Sequence, residues 1–398
     1  LGAPVSLAGF SRTELDEIAP ERPAFLQVGY SHVYVNSAWF EAMGIPLVSE
    51  GKSTSENGLE RFVERNGEGR ATGRLTGGFP MIGAAIRHFP PVTETEQIAG
   101  IKALMADLNA MGLTTVYDAG GLGVREASYA RIGRMAERGE LTLRIPHTLW
   151  GGVIDTPEGA ERYIERLESE RPFGGGAWFE RVAAGEILYA PFHWDTPLQP
   201  AQPSREDIAV GERVLRAAAA NGWPIELHAI QPESIGRVLD AVERIDREHP
   251  VRALRWSICH VDNIAPEQIA RARELGMSLR PRSLFVVGGK GAVFDKFGDA
   301  AYGMPPLRQM EAHGVLYGLG TDGTKAGQIN PFVSLWWAVM GKALSGETIL
   351  KDTLSREEAL IAHTRANARL LFRGQDLGAI APGRLADMVI LDRDYLTV

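Results

Sequence analysis

The feature that most constrains this chain is an alternation of two periods. Short apolar runs of strand length recur between longer stretches with helical spacing, from residue 93 to residue 322. Seven runs read as strands: 112–118, 141–150, 179–190, 223–230, 254–261, 276–288 and 314–322. Between them, 93–111, 205–221, 235–246 and 266–275 carry apolar residues at the i, i+3, i+4 spacing of an amphipathic helix. Thr93, Ser204 and Ser355 stand where a helix N-cap belongs, the last opening a helix expected over 355–372. Gly112, Gly222, Gly276 and Gly314 come just after helical stretches and supply the left-handed conformation that stops a helix. A βαβα rhythm of this kind means a parallel sheet with crossover helices. Seven such strands predict an α/β fold of the (β/α)8 TIM-type barrel class over 93–376, one strand short. A doubly wound open sheet is the alternative.

The two ends break the rhythm. Residues 1–92 are rich in Gly, Pro and Ser with two strand-like runs, 24–30 and 32–37, and are expected to form a loop-rich insertion packed on the barrel. Residues 377–398 hold a turn at Pro382-Gly383 and then a short strand over 386–392, which predicts a remnant of a small β-sandwich.

Composition removes several classes. The single cysteine, Cys259, excludes an internal disulfide framework and a cysteine-based zinc cluster. A net charge of -8 argues against a nucleic-acid binder, which needs clustered Lys and Arg. No run approaches the ~18 apolar residues of a membrane-spanning helix. The expected partner is a small-molecule substrate in a cytoplasmic setting, with no nucleic acid or membrane; a homo-oligomer is left open.

In a parallel barrel the reactive side chains sit at the C-terminal strand ends. Four strand ends here carry such groups: Glu186, His228, His260 and Asp322. Imidazole nitrogen and carboxylate oxygen suit a borderline divalent cation, most of all Zn2+, as one ion or two. Such an ion lowers the pKa of water to about 7, and an aspartate beside it can take and return the proton. Each residue also has a plain reading. A lone His at a strand end is often a polar core group, Glu186 could be an internal ion-pair partner, and Asp322 could be a turn residue.

The segments HAI (228–230), ICHVDNIAPEQI (258–269), GLGTDG (318–323), EEALIAHTRANARLLF (357–372) and LGAIAPGRLADMVILDRDYL (377–396) resemble the amidohydrolase superfamily. More narrowly they are similar to its family 3, the branch of N-substituted formamide deformylase-like enzymes. TELDEIAPERPAFL (13–26), VNSAWFEAMGI (35–45), GRATGRLTGGFP (69–80) and GLTTVYDAGG (112–121) extend the likeness over nearly the whole chain. The resemblance implies metal-dependent hydrolysis of an amide-type C–N bond. It implies that His228 and His260 bind metal, that Asp322 binds metal and shuttles the proton, and that Glu186 stands where the family often has a bridging carboxylated lysine. The family also carries a His-x-His pair at the end of its first strand. None of the nine histidines here forms such a pair, so that strand is expected upstream of Leu1.

Other residues near the expected mouth are assigned more loosely. Arg280 and Arg282 could grip a substrate carboxylate or form internal salt bridges. His193 and Trp194 could shape the pocket or cover core. Asp118 and His147 could orient ligands. Cys259 is expected to turn away from His260 by strand alternation and to lie buried and inert. Two other classes compete. Gly318–Gly323 spells GxGxxG after a strand, but Gly and Pro interrupt the segment after it, and no acidic residue stands at the dinucleotide spacing. A metal-free, non-catalytic binding or regulatory protein fits the absent His pair. No GxSxG elbow supports a serine hydrolase.

Overall fold

The computed structural model describes residues 10–28, 32–49, 58–120, 126–283, 285–323 and 327–398. Gly29, Tyr30 and Leu284, which fall in expected strands, lie outside them. The chain forms two compact units, Leu1–Ile98 and Ala99–Val398.

The first unit holds more regular structure than its composition predicts. Strands β1 (Phe25–Val28), β2 (His32–Val35), β3 (Val63–Arg65) and β4 (Ala71–Thr76) form an antiparallel sheet in the order β1-β2-β4-β3. The β3–β4 hairpin is not legible in the sequence because its strands are short and carry Glu64, Arg65 and Arg74 among few apolar residues. Val33, Val35, Trp39, Phe40, Leu75 and Met81 make a core of its own.

The second unit confirms the α/β rhythm. Its strands are β5 (His147–Leu149), β6 (Gly174–Gly176), β7 (Phe179–Ala184), β8 (Glu226–Ala229), β9 (Ser257–His260), β10 (Ser278–Pro281) and β11 (Leu316–Tyr317). β8 to β11 pair in parallel and in chain order, and β5 pairs in parallel with β7. Parallel bridges Thr115↔Arg144, Asp118↔His147 and Ala184↔Ile225 join the remaining segments into one series. The expected runs are therefore present, but shorter than their apolar extent. The first is reduced to bridges, and the third ends at Ala184.

Crossover helices cover the outer face. Arg205–Ala220, Pro232–Asp246 and Pro266–Glu274 match expectation to within three residues. Ser204 and Ser355 each form a reciprocal cap with the carboxylate three residues on. Leu227, Ile258 and Leu279 of the strands share one buried core with Val214, Leu239, Val242 and Ile269 of this layer. Trp223 and Trp256, just before β8 and β9, are fully buried, and each indole N–H donates to a carbonyl, of Leu167 and Trp223 respectively.

One expectation is corrected here. The strand over 386–392 does not form. A strand needs a neighbour to exchange hydrogen bonds with, and the segment is instead held by one ion pair. Asp387 takes two hydrogen bonds from Arg144, at 2.7 and 3.2 Å, while the guanidinium lies over the Trp178 ring. The dinucleotide alternative gains no support, since the next described helix after Gly323 is Pro331–Met340. Among the described residues no helix is long and apolar enough to cross a membrane.

The Arg144 side chain is only 9% exposed, so removing its partner strands a buried charge. Asp387→Ala should destabilise the fold by about 3 kcal/mol, read as a lower denaturation midpoint at unchanged slope.

Candidate active site

The site grows from the ends of β7, β8 and β9. β7 stops at Ala184, and Gly185 comes next with φ 140°. A Cβ at Gly185 would lie 2.2 Å from the Glu226 carbonyl oxygen, so the position admits only glycine. The next carbonyl, of Glu186, accepts from the His228 N–H at 3.2 Å and keeps this segment against β8.

The Glu186 carboxylate then sits between two imidazoles. Its Oε1 is 3.7 Å from His228 Nδ1, and its Oε2 is 3.3 Å from His260 Nε2. The two rings meet edge to face with centroids 4.4 Å apart. Cys259 adds its thiol, Sγ donating to Glu186 Oε2 at 3.1 Å. The donor atoms of Glu186, Cys259 and His260 all lie within 4.8 Å of one another.

The arrangement corrects the expectation for Cys259. In register, Cys259 stands beside His228 of β8 and Arg280 of β10, and neighbours in register share a face. Ile258 is the residue that faces the helices. Alternation would send His260 outward too, but His260 and Val261 have φ 73° and 47°. This left-handed backbone turns the imidazole back, so consecutive side chains reach one carboxylate. Such strain in a non-glycine residue persists where the surroundings over-determine it.

His228 is oriented from behind. Its Nε2 lies 2.8 Å from the Asp195 carbonyl oxygen, so that nitrogen carries the proton. Asp195 is buried and accepts from the backbone N–H groups of Ile230 and Gln231, at 2.9 and 2.8 Å, where the helix Pro232–Asp246 begins. His228 Nδ1 has no hydrogen-bond partner. In the neutral ring its lone pair faces Glu186, a repulsive arrangement unless a proton or a cation lies between. Ligand atoms around one tetrahedral zinc are spaced by about 3.4 Å, given bonds of about 2.1 Å. The 3.3 and 3.1 Å separations at Glu186 Oε2 fit that spacing, while His228 Nδ1 stands 3.7 Å from the other oxygen and outside the 4.8 Å donor group.

Without an ion, protons take this role. Burial alone would lower the His228 pKa, but Asp195 and Glu186 outweigh it and raise it to about 9. Burial would likewise raise Glu186, yet His260 and His228 hold its carboxyl well below the usual range.

The other expected residues are distributed around this cluster. His193 is buried, with its Nδ1 donating to the His228 carbonyl at 2.8 Å, and burial pushes its pKa down to about 4. Trp194 presents an edge to the His228 ring, centroids 6.2 Å apart. Arg280 is engaged inside the protein, 3.1 Å from Glu226 and over the Tyr117 ring. Arg282 joins Asp262, at 3.0 Å, to Asp322, at 2.5 Å. Both guanidinium groups thus bind protein carboxylates rather than standing free for a substrate's. Asp322 has φ 56° and a partly exposed carboxylate, and it stands outside the Glu186 donor group. Asp118 and His147 bridge each other's backbone on neighbouring segments, His147 packing edge-on against Phe179.

Sequence reasoning missed Asp195, Glu226 and Asp262. The first and last stand two residues after expected histidines, in HWD and HVD, and that spacing was the available signal.

The amidohydrolase family pattern matches residues 4–398. The chain belongs to this family. It is 26% identical to the N-substituted formamide deformylase of Arthrobacter pascens, a match covering 96% of this chain and 71% of that protein. It is 24% identical to the imidazolonepropionase of Pyrobaculum arsenaticum, covering 84% and 72%. Its fold is similar to that of an uncharacterized metal-dependent hydrolase from Pyrococcus horikoshii OT3, with a TM-score of 0.65 at 19% identity over 98% of this chain and 74% of that one. This amidohydrolase is therefore an enzyme that hydrolyses C–N bonds.

The geometry gives two expected outcomes. Gly185→Ala should destabilise the fold by at least about 1–3 kcal/mol, seen in the denaturation midpoint, since both φ and the Glu226 carbonyl oppose a side chain. With divalent ions chelated, stability should also depend on pH. The Glu186 contribution is present above 4.5 and lost as pH falls through its depressed folded value. The His228 contribution is complete below 6.5 and lost as pH rises through about 9. Thermal scans of the chelated protein should give a Tm that declines across that upper range; a flat Tm there would contradict a protonated His228.

Proposed function

We propose that this amidohydrolase cleaves the C–N bond of a small amide-type substrate in a site loaded with a divalent cation, zinc above all, held by Glu186, His228 and His260. The observation that carries the reading is the unpartnered His228 Nδ1 facing Glu186 Oε1 at 3.7 Å, a gap too wide for a hydrogen bond and suited to a shared ion. The family assignment favours amide-type substrates. The parallel series is read as an arc of a (β/α) barrel, whose C-terminal strand ends share one rim.

When bound, the cation would supply Lewis-acid polarisation of the scissile carbonyl and would acidify the attacking water. The protein's residues do the rest. Asp195 holds His228 in the tautomer that leaves Nδ1 available. Glu186 supplies the negative charge that offsets the ion. Asp322, paired with Arg282, is assigned the proton: its carboxylate accepts it from the attacking water and returns it to the leaving nitrogen. The bond formed is C–O, the bond broken is C–N, and the products are a carboxylic acid and an amine. His193 and Trp194 line the His228 side.

The decisive experiment is amide hydrolysis with and without divalent ions. Chelation should abolish turnover and zinc should restore it; turnover indifferent to chelation would remove the metal from the reading. Asp322→Asn should cut kcat by about 10²–10⁴-fold with an unchanged circular dichroism spectrum, and near-normal kcat would remove the proton role.

A further inference from the structure

We propose that Cys259 is itself a ligand of the cation, so that the ion is held by a thiolate as well as by carboxylate and imidazole. The inference rests on the proposed metal-loaded site and adds the chain's one sulfur nucleophile to it.

Three observations meet at this point. Cys259 Sγ is 3.1 Å from Glu186 Oε2, on the oxygen that also faces His260 Nε2 at 3.3 Å. The three donor atoms lie within 4.8 Å of one another, and Cys259 is 4% exposed. On the other oxygen of the same carboxylate, the buried and unpartnered His228 Nδ1 is aimed at Glu186. A buried nitrogen without a partner costs free energy unless something binds it. The left-handed backbone at His260 completes the juxtaposition, because it brings residues 259 and 260 to one carboxylate instead of to opposite faces.

Without an ion the thiol keeps its proton and donates it to Glu186. Ion binding breaks the S–H bond and forms a sulfur–metal bond. One proton leaves to solvent per thiol engaged, and nothing is oxidised or reduced. A thiolate beside imidazole and carboxylate favours zinc-like borderline ions over magnesium, calcium or manganese.

Cobalt(II) added to the full, chelator-stripped chain tests the assignment by absorbance. Visible ligand-field bands report cobalt held by the carboxylate and imidazoles. A near-ultraviolet charge-transfer band requires a sulfur–cobalt bond. The wild-type protein should show both, rising together. Cys259→Ser should keep the visible bands, lose the near-ultraviolet band and bind cobalt more weakly by at least about tenfold. Saturating visible bands with no near-ultraviolet band in the wild type would overturn the role of Cys259 and leave the carboxylate–imidazole site standing. No visible bands at all would overturn both. The wild-type spectrum decides between these outcomes even if the serine variant does not fold.

Discussion

The site depends on one partly buried carboxylate held between two buried imidazoles. Glu186 reaches His228 with one oxygen and His260 with the other. A charge in that position is costly unless it is matched, and the protein matches it with protons or makes room for a cation. The same three side chains therefore define both states. The metal-free state is an ion-paired cluster with His228 charged, and in the proposed loaded state an ion would take the proton's place. Chemistry and stability are tied together because both use the same lone pairs.

The surroundings of the trio restrict its freedom. Asp195 holds the backbone that leads into a crossover helix and fixes His228 Nε2 with its own carbonyl, so one residue joins the entry of that helix to the His228 side chain. Gly185 lets the chain leave β7 against the Glu226 carbonyl, where any side chain would collide. The positive φ at His260 adds backbone strain that the packed sheet sustains.

Next to the trio, the partly buried Arg280 and the buried Arg282 organise the remaining carboxylates. Arg280 answers Glu226 and lies over Tyr117, and Arg282 links Asp262 with Asp322. A guanidinium fork that binds two aspartates sets the direction of both, which suits a residue assigned to carry a proton between water and a leaving group. The sequence alone leaves a substrate carboxylate and an internal ion pair equally open for these arginines. Composition cannot choose, because the partners come from other strands: Glu226 from β8 for Arg280 on β10, and Asp262 from just beyond β9 for Arg282.

Local pattern alone determined much of this protein. The period of apolar residues and the Ser caps marked the crossover helices to within three residues, and the apolar runs marked the order of parallel segments. His228 and His260 were legible because they stand near the ends of such runs, and Glu186 because it lies on one. The rest needed distance information. Cys259 faces the site because its register partner is His228, while His260 faces it only through a left-handed turn that no side-chain pattern announces. The apolar 386–392 segment looks like a strand in isolation, but whether it pairs depends on a neighbour, and there Arg144 holds Asp387 instead. Sequence encodes the periods that local backbone geometry imposes; tertiary structure decides which charged groups, far apart in the chain, meet with water excluded, where a few ångströms separate a ligand from a salt bridge.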